Sequence, residues 1–288
     1  MLVTKTSDLA DPVAPPAAPL PASPALEAVI TELADRFFRS LPRAGHRLKG
    51  EQYLRGLLTT PGRKTVRNIA RALGDPGAAQ RLHHFICNAP WDWQPVREAL
   101  AAHLSASAPP RAWVVRSLVI PKSGTRSAGV HRRFVPETGQ VVNAQQAHGL
   151  WYARPGTNTP VDWCLSPPSR TLPGGRPQPV DLGPGRRPVT ALLERSGGAG
   201  GVATAPVLWD CPAEDAADAW RTLVSLPVPA AELHRLTGLA GQVARDTART
   251  GTRVGLRDFE GRSYDGWHRH MTLASAAYAA LLRAHGRW

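Results

Sequence analysis

The hydrophobic period of this chain changes at Pro109-Pro110, and that change limits its fold more than any other feature. Before it, apolar residues recur at helical spacing. Leu26, Val29, Ile30, Leu33 and Phe37 predict an amphipathic helix over about 26–39. Tyr53, Leu54, Leu57 and Leu58 predict a second over about 50–58, and Val66, Ile69, Ala70 and Leu73 a third over about 64–73. Gly74-Asp75-Pro76 then forces a turn, because glycine ends helices and a proline drives the residue before it out of the α region. Helices over about 77–87 and 94–105 complete an all-helical stretch.

After the two prolines the pattern is that of strands. "WVVRSLVI" (113–120), "VHRRFV" (130–135) and "QAHGLWYA" (146–153) are separated by glycine-containing turns. An irregular stretch rich in Pro, Gly and Arg follows Pro155 and runs to about 188, with 165–188 read as a loop. Beyond it, the sequence predicts a helix at 189–197, a short buried strand at 205–210, a helix at 213–224 and one long terminal helix. The fold class expected is α/β. An N-terminal all-helical unit at 26–108 precedes a strand-containing domain at 109–288, and a Pro/Ala-rich tail occupies 1–25, extended and disordered.

Charge narrows the partner. The 288 residues carry 35 Lys+Arg against 22 Asp+Glu, a formal net charge of +13, which favours a polyanion such as nucleic acid. Arginine dominates the bases, with Lys5, Lys49, Lys64 and Lys122 the only lysines, so part of the excess follows from an Arg-rich composition. The distribution says more. Ten Lys/Arg lie from Arg36 to Arg71 beside one acid, Glu51, and six more lie between 111 and 135, where no acid occurs. Candidate phosphate contacts are Arg55, Arg63, Lys64, Arg67, Arg71, Lys122, Arg126, Arg132, Arg133, Arg262 and Arg269. The helix pair at 64–87 has the outline of a helix-turn-helix, an outline that ordinary helical bundles share. No apolar run reaches the roughly 20 residues needed to span a bilayer. Cys87, Cys164 and Cys211 are too few and too dispersed for a disulfide framework, and are expected as thiols in a reducing, cytoplasmic setting.

Two segments carry a family resemblance. "PKSGTRSAGVHRRFVPETGQVVNAQ" (121–145) and "GLRDFEGRSYDGWHRHMTLA" (255–274) resemble two blocks of bacterial insertion-sequence transposases of the DDE class, the group around insertion sequence 701. Pro121, Lys122, Gly124, Ser127, Gly129 and Val130 fit the first block, which continues through Gly139 and Asn143 to "PVDW" at 160–163. Glu260, Arg262, Trp267, Arg269 and His270 fit the second, and "YLRGLL", "RKTVRNIA" and "APWD" fit the helical part.

The resemblance implies a ribonuclease-H-like domain, here with a shortened insertion between Asp210 and Asp246. It also implies DNA cleavage and strand transfer by three carboxylates holding two Mg²⁺ ions. The first acid belongs just before Pro-Lys-x-Gly, where this chain has Arg116 and Ser117. Neither replaces a metal-binding carboxylate, and a guanidinium repels a dication. Asp210 fits the second acid and the metal position, or equally the cap of a following helix. Asp246 is the approximate third, and Glu260 the fallback, or a structural ion pair. His268-Arg269-His270 does not share one helical face and reads as packing or phosphate contact. The expected function is that of a transposase-derived protein that binds double-stranded DNA in the cytoplasm, at the nucleoid, without strand transfer. The alternatives are an active Mg²⁺-dependent transposase with a rearranged metal site and a basic non-catalytic regulator. Family analogy adds a homodimer; no membrane is involved.

Overall fold

A computed structural model describes residues 23–135, 139–166, 170–171, 177–178, 207–210 and 230–287. The helices expected at 189–197 and 213–224, most of 165–188, Cys211 and the Pro/Ala-rich segment before residue 23 lie outside them.

Five helices open the fold: α1 (Pro24–Phe37), α2 (Ala44–Thr59), α3 (Val66–Ala72), α4 (Ala78–Cys87) and α5 (Gln94–Ser107). Their starts have local causes. Ser23 caps α1 by accepting the Leu26 N–H, with Pro24 beside it in the first turn, where no amide donor is missed. Thr65 caps α3 through the Asn68 N–H. The second helix begins six residues earlier than its apolar period suggests, at Ala44 rather than 50. Its first turns are polar, and Arg47 reaches back to the Leu41 carbonyl.

The strands are β1 (Ala112–Pro121), β2 (His131–Val135), β3 (Gln140–Arg154), β4 (Thr157–Leu165), a two-residue pair β5 (Arg170–Thr171) and β6 (Pro177–Gln178), and β7 (Val207–Asp210). β1 runs antiparallel to β3 from Ala112 opposite Ala153 to Pro121 opposite Ala144. On its other edge β1 pairs with β7 in parallel, Trp113 with Val207 through Arg116 with Asp210. The far edge of β3 is shared, first by β2 and then by β4. The stretch after Pro155, expected to be irregular, therefore opens with a nine-residue strand. Gly156 (φ 81°) turns the chain into it, and Pro160 is accommodated at a register shift opposite Leu150 and Trp151.

The chain closes with α6 (Ala230–Asp246), one π-helical turn (Thr247–Gly251) and α7 (Tyr264–Ala284). Ser263 caps α7 through the Gly266 N–H. This last helix is more than amphipathic: every residue from Gly266 to Leu282 is buried. A helix covered all round must be central. Its small side chains admit α1, α2 and α4 on one side and β4 on another. Trp151 of β3 meets Tyr278 edge-on at 5.5 Å, and Trp163 of β4 donates to the Ser275 hydroxyl at 2.9 Å. Helical segment and sheet thus share one apolar core. α6 covers the start of β1 through Leu236 and Leu239 against Ala112 and Leu208.

Candidate nucleic-acid interface and catalytic position

The centre of the sheet is where the transposase resemblance places its first acid. Arg116 and Ser117 are consecutive residues of β1, so their side chains leave on opposite faces. Arg116 stands in register with Asp210 of the parallel neighbour and with Gly149 of β3. Asp210 thus ends β7 beside the position expected to bear its catalytic partner. That partner is a cation. On the other face the Ser117 hydroxyl hydrogen-bonds Nδ1 of buried His148 at 3.2 Å, and Nε2 of the same ring reaches the Ser166 hydroxyl at 3.1 Å. Two hydroxyls and an imidazole are linked beside the second of the two expected acid positions, and His148 is a residue that the sequence pattern does not single out.

The other two candidate acids lie at opposite ends of β1. Asp246 closes α6 and accepts a 2.8 Å hydrogen bond from Asn158, whose strand partner Ala153 faces Ala112. Glu260 lies beyond the far end of the strand, ion-paired to Arg63 at 3.2 Å. At about 3.3 Å per residue a strand of this length spans roughly 30 Å, whereas carboxylates sharing two metals must converge within a few ångströms. Asp246 and Glu260 are not brought together. Among the described residues no group of three or more His, Cys, Asp or Glu could hold a metal ion. The position where the resemblance puts the first acid offers a guanidinium and a hydroxyl, so among the described residues nothing fits the two-metal arrangement.

What gathers at the end of β1 is a latch between three segments. Lys122 follows Pro121, and its ammonium donates to the Phe259 carbonyl at 2.6 Å. Arg257 donates to the Val119 carbonyl at 2.6 Å, pinning the same loop to the strand. Asp258 accepts the Lys64 backbone N–H at 2.8 Å, joining that loop to the connection between α2 and α3. Burial and then the Arg63 charge push the Lys122 ammonium down to about 8, although Asp258 and Glu260 oppose the shift. Gly255 (φ 80°) must stay without a side chain, since a Cβ there would lie 2.6 Å from Cγ of Lys64. Its carbonyl accepts Nε2–H of His270 at 2.8 Å, and Nδ1 of that ring takes the Tyr53 hydroxyl at 2.8 Å. Burial holds the imidazole neutral, with its ionisation lowered to about 4. Arg257, Asp258, Arg269 and His270 of the second motif block thus all bond to the protein's own backbone, and Asp258 is a residue that the motif match does not single out.

The candidate phosphate contacts divide by exposure. Arg63, Arg67, Arg71, Arg126, Arg132 and Arg262 are exposed. Arg67 and Arg71 stand one turn apart on α3. Lys64 is buried with its ammonium on the Thr60 carbonyl. Arg269 is buried too, donating to the carbonyls of Trp91 (3.0 Å) and Ile86 (3.1 Å). These two cations hold the protein's own backbone. Arg55 is half-buried between Glu27 and Glu51, at 2.9 Å from each, and Arg133 is half-buried against His131.

The sequence pattern matches a known family over residues 36–210, that of the DDE superfamily endonucleases. The chain belongs to this family. The match spans α2–α5, β1–β4 and β7, so it includes the positions of Arg116 and Asp210. Among curated proteins, none matches the chain. A DDE superfamily endonuclease acts on DNA, which agrees with the net charge of +13. No helix among the described residues is long and apolar enough to cross a membrane.

Proposed function

We propose that this DDE-family protein is derived from an insertion-sequence transposase and binds duplex DNA without carrying out strand transfer. One observation carries the reading: Arg116 occupies the register position beside Asp210 where a metal-binding carboxylate is required. Removing one acid from a two-metal site removes both positioning and charge stabilisation, and a cation in its place adds repulsion. The separation of Asp246 from Glu260 along β1 supports the same conclusion. The sheet supports a ribonuclease-H-type body, because β1, β3 and β4 form an antiparallel run and β7 adds in parallel beside β1. In this reading residues 26–108 carry DNA or a second copy, and residues 109–288 form the transposase-type body. The exposed cations Arg63, Arg67, Arg71, Arg126, Arg132 and Arg262 meet phosphate.

The test is a gain of function. Arg116→Asp with Ser117→Asp is assayed for Mg²⁺ binding by calorimetry and for nicking of supercoiled DNA. Wild type is expected to leave the DNA intact, with the double variant gaining metal affinity. Mg²⁺-dependent nicking by wild type that disappears in Asp210→Ala would overturn the proposal in favour of an active enzyme.

A further inference from the structure

The start of α2 leaves backbone donors unused. Arg43 is its N-cap, extended and without a side-chain acceptor to offer, and no acid stands in the first turn. The His46 and Arg47 amides both donate to the Arg43 carbonyl, at 2.9 and 3.2 Å. The Ala44 and Gly45 amides have no acceptor among the described residues, and both residues are exposed. A Cβ added at Gly45 would meet nothing within 4 Å, so the space beside it is open.

An open helix end is not by itself a site, and His46 supplies the independent observation. It is the third residue of the helix and only 7% exposed, yet its Nδ1 is buried with no hydrogen-bond partner. Side chains on a helix lean towards its N-terminus, which directs this imidazole to the end that carries the free amides. Buried polar nitrogens are paired as a rule, so an orphan beside open space asks for a group from outside the chain.

The surroundings fix the sign of that group. Arg43, His46 and Lys49 recur three residues apart, and the His46 ring lies 5.9 Å from that of Phe85 on α4, next to His84. Burial lowers the ionisation of His46 first, and the charges of Arg43, Lys49, His84 and then Arg269 of α7 lower it further. No carboxylate is among the groups that act on it. α4 contains no acid, and Glu51, the single acid of α2, is paired with Arg55. Free amides at the positive end of a helix, ringed by cations, match the oxygens and charge of a phosphate group.

We propose that the first turns of α2, with His84 of α4, form a binding site for one phosphate group, held by the Ala44 and Gly45 amides, His46, Arg43 and Lys49. On the DNA-binding reading above, which this deepens, the group is a phosphate of the duplex backbone. Binding tightens as pH falls, because the anion favours the His46 imidazolium and the imidazolium adds a charged donor.

The probe is sulfate, which has the shape of phosphate and a charge that stays constant near neutrality. It is titrated into the full chain while the His46 ring resonances, assigned with His46→Gln, are followed by NMR between about pH 5 and 8. Sulfate is expected to raise the proton affinity of His46 about tenfold. Arg43→Ala combined with Lys49→Ala should weaken sulfate about tenfold, whereas Arg245→Ala, at an exposed cation of α6, should leave it unchanged. His46 resonances that ignore sulfate, or a double variant that binds it as wild type does, overturn the site. A duplex of about 30 base pairs separates the sources of phosphate. A backbone phosphate predicts that the duplex moves His46 as sulfate does, and that the double variant lowers the slope of log affinity against log salt by about one unit. A duplex that binds without moving His46 overturns the backbone assignment and leaves the site to a free phosphate compound. Sulfate binding with no duplex binding at low salt removes the DNA-binding reading and upholds the site.

Discussion

Arg97 of α5 and Asp162 of β4 form an ion pair at the junction of the helical segment and the sheet, with side chains only 2% and 4% exposed. The guanidinium also donates to the Trp163 carbonyl at 2.9 Å, the Thr272 hydroxyl at 2.7 Å and Nδ1 of His268 at 3.0 Å. One side chain thereby ties α5, β4 and α7 together. Removing one member of such a pair leaves the other charge buried without its counter-charge, at a cost of about 3–5 kcal/mol. Arg97→Met is expected to lower unfolding free energy by that order in urea titrations. Adding Asp162→Leu should restore much of the loss, because the stranded carboxylate disappears. A single variant as stable as wild type would contradict the arrangement.

His270 makes stability depend on acid. Its folded value of about 4 lies below the ordinary 6.5, so between these values the unfolded chain binds the additional proton. Stability is therefore full above pH 6.5 and falls as pH drops towards 4, by about 3 kcal/mol from this group. His270→Gln can keep a donor towards Gly255 and an acceptor towards Tyr53. Its stability should decline less steeply than wild type over that window, read by denaturant midpoints at successive pH values.

Lys122 acts in the alkaline range. Its folded value of about 8 lies below the ordinary 10.5, so the charged amine is disfavoured in the fold at neutral pH. That cost fades as pH rises from 8 towards 10.5, where the unfolded chain holds the extra proton. Wild type should therefore gain stability relative to Lys122→Met across this interval. Parallel curves for the two proteins would show that burial does not perturb the amine.

Exposed and buried arginines should separate cleanly in solution. Arg67→Ala and Arg71→Ala each remove one exposed cation from α3, and each should lower the salt slope of duplex binding by about 0.9 with little effect on stability. Arg269→Ala should do the opposite, lowering the melting temperature by several degrees through two carbonyls left without donors. An Arg269→Ala variant that folds normally and loses DNA affinity would reverse this division.

Helices with clean apolar periods were readable from sequence, as α1, α4 and α5 illustrate within about two residues of their ends. β4 was hidden because Pro155 and Pro160 read as loop punctuation, while register pairing tolerates Pro160 at an irregularity that only the neighbouring strand reveals. α6 was obscured by Gly238 and Gly241, which weaken a helical signal that packing restores. At the site, Arg116 and Ser117 were legible as the residues standing where the motif resemblance puts its first acid. The separation of Asp246 from Glu260 was not, because sequence distance does not encode which end of a strand a helix reaches. Lys64 and Arg269 show the same gap: a cation's composition is visible, but whether it meets solvent depends on carbonyls contributed by distant helices.

The central helix α7 also orders events in time. It follows α1–α5 and the strands in the chain, yet it supplies the surface on which α1, α2 and α4 close. On the ribosome those helices emerge early and cannot complete their packing until residues 264–284 have left the exit tunnel. Their apolar faces stay available to chaperones until that moment. A ribosome stalled before Tyr264 would thus hold a nascent chain whose first helices are made but not yet assembled.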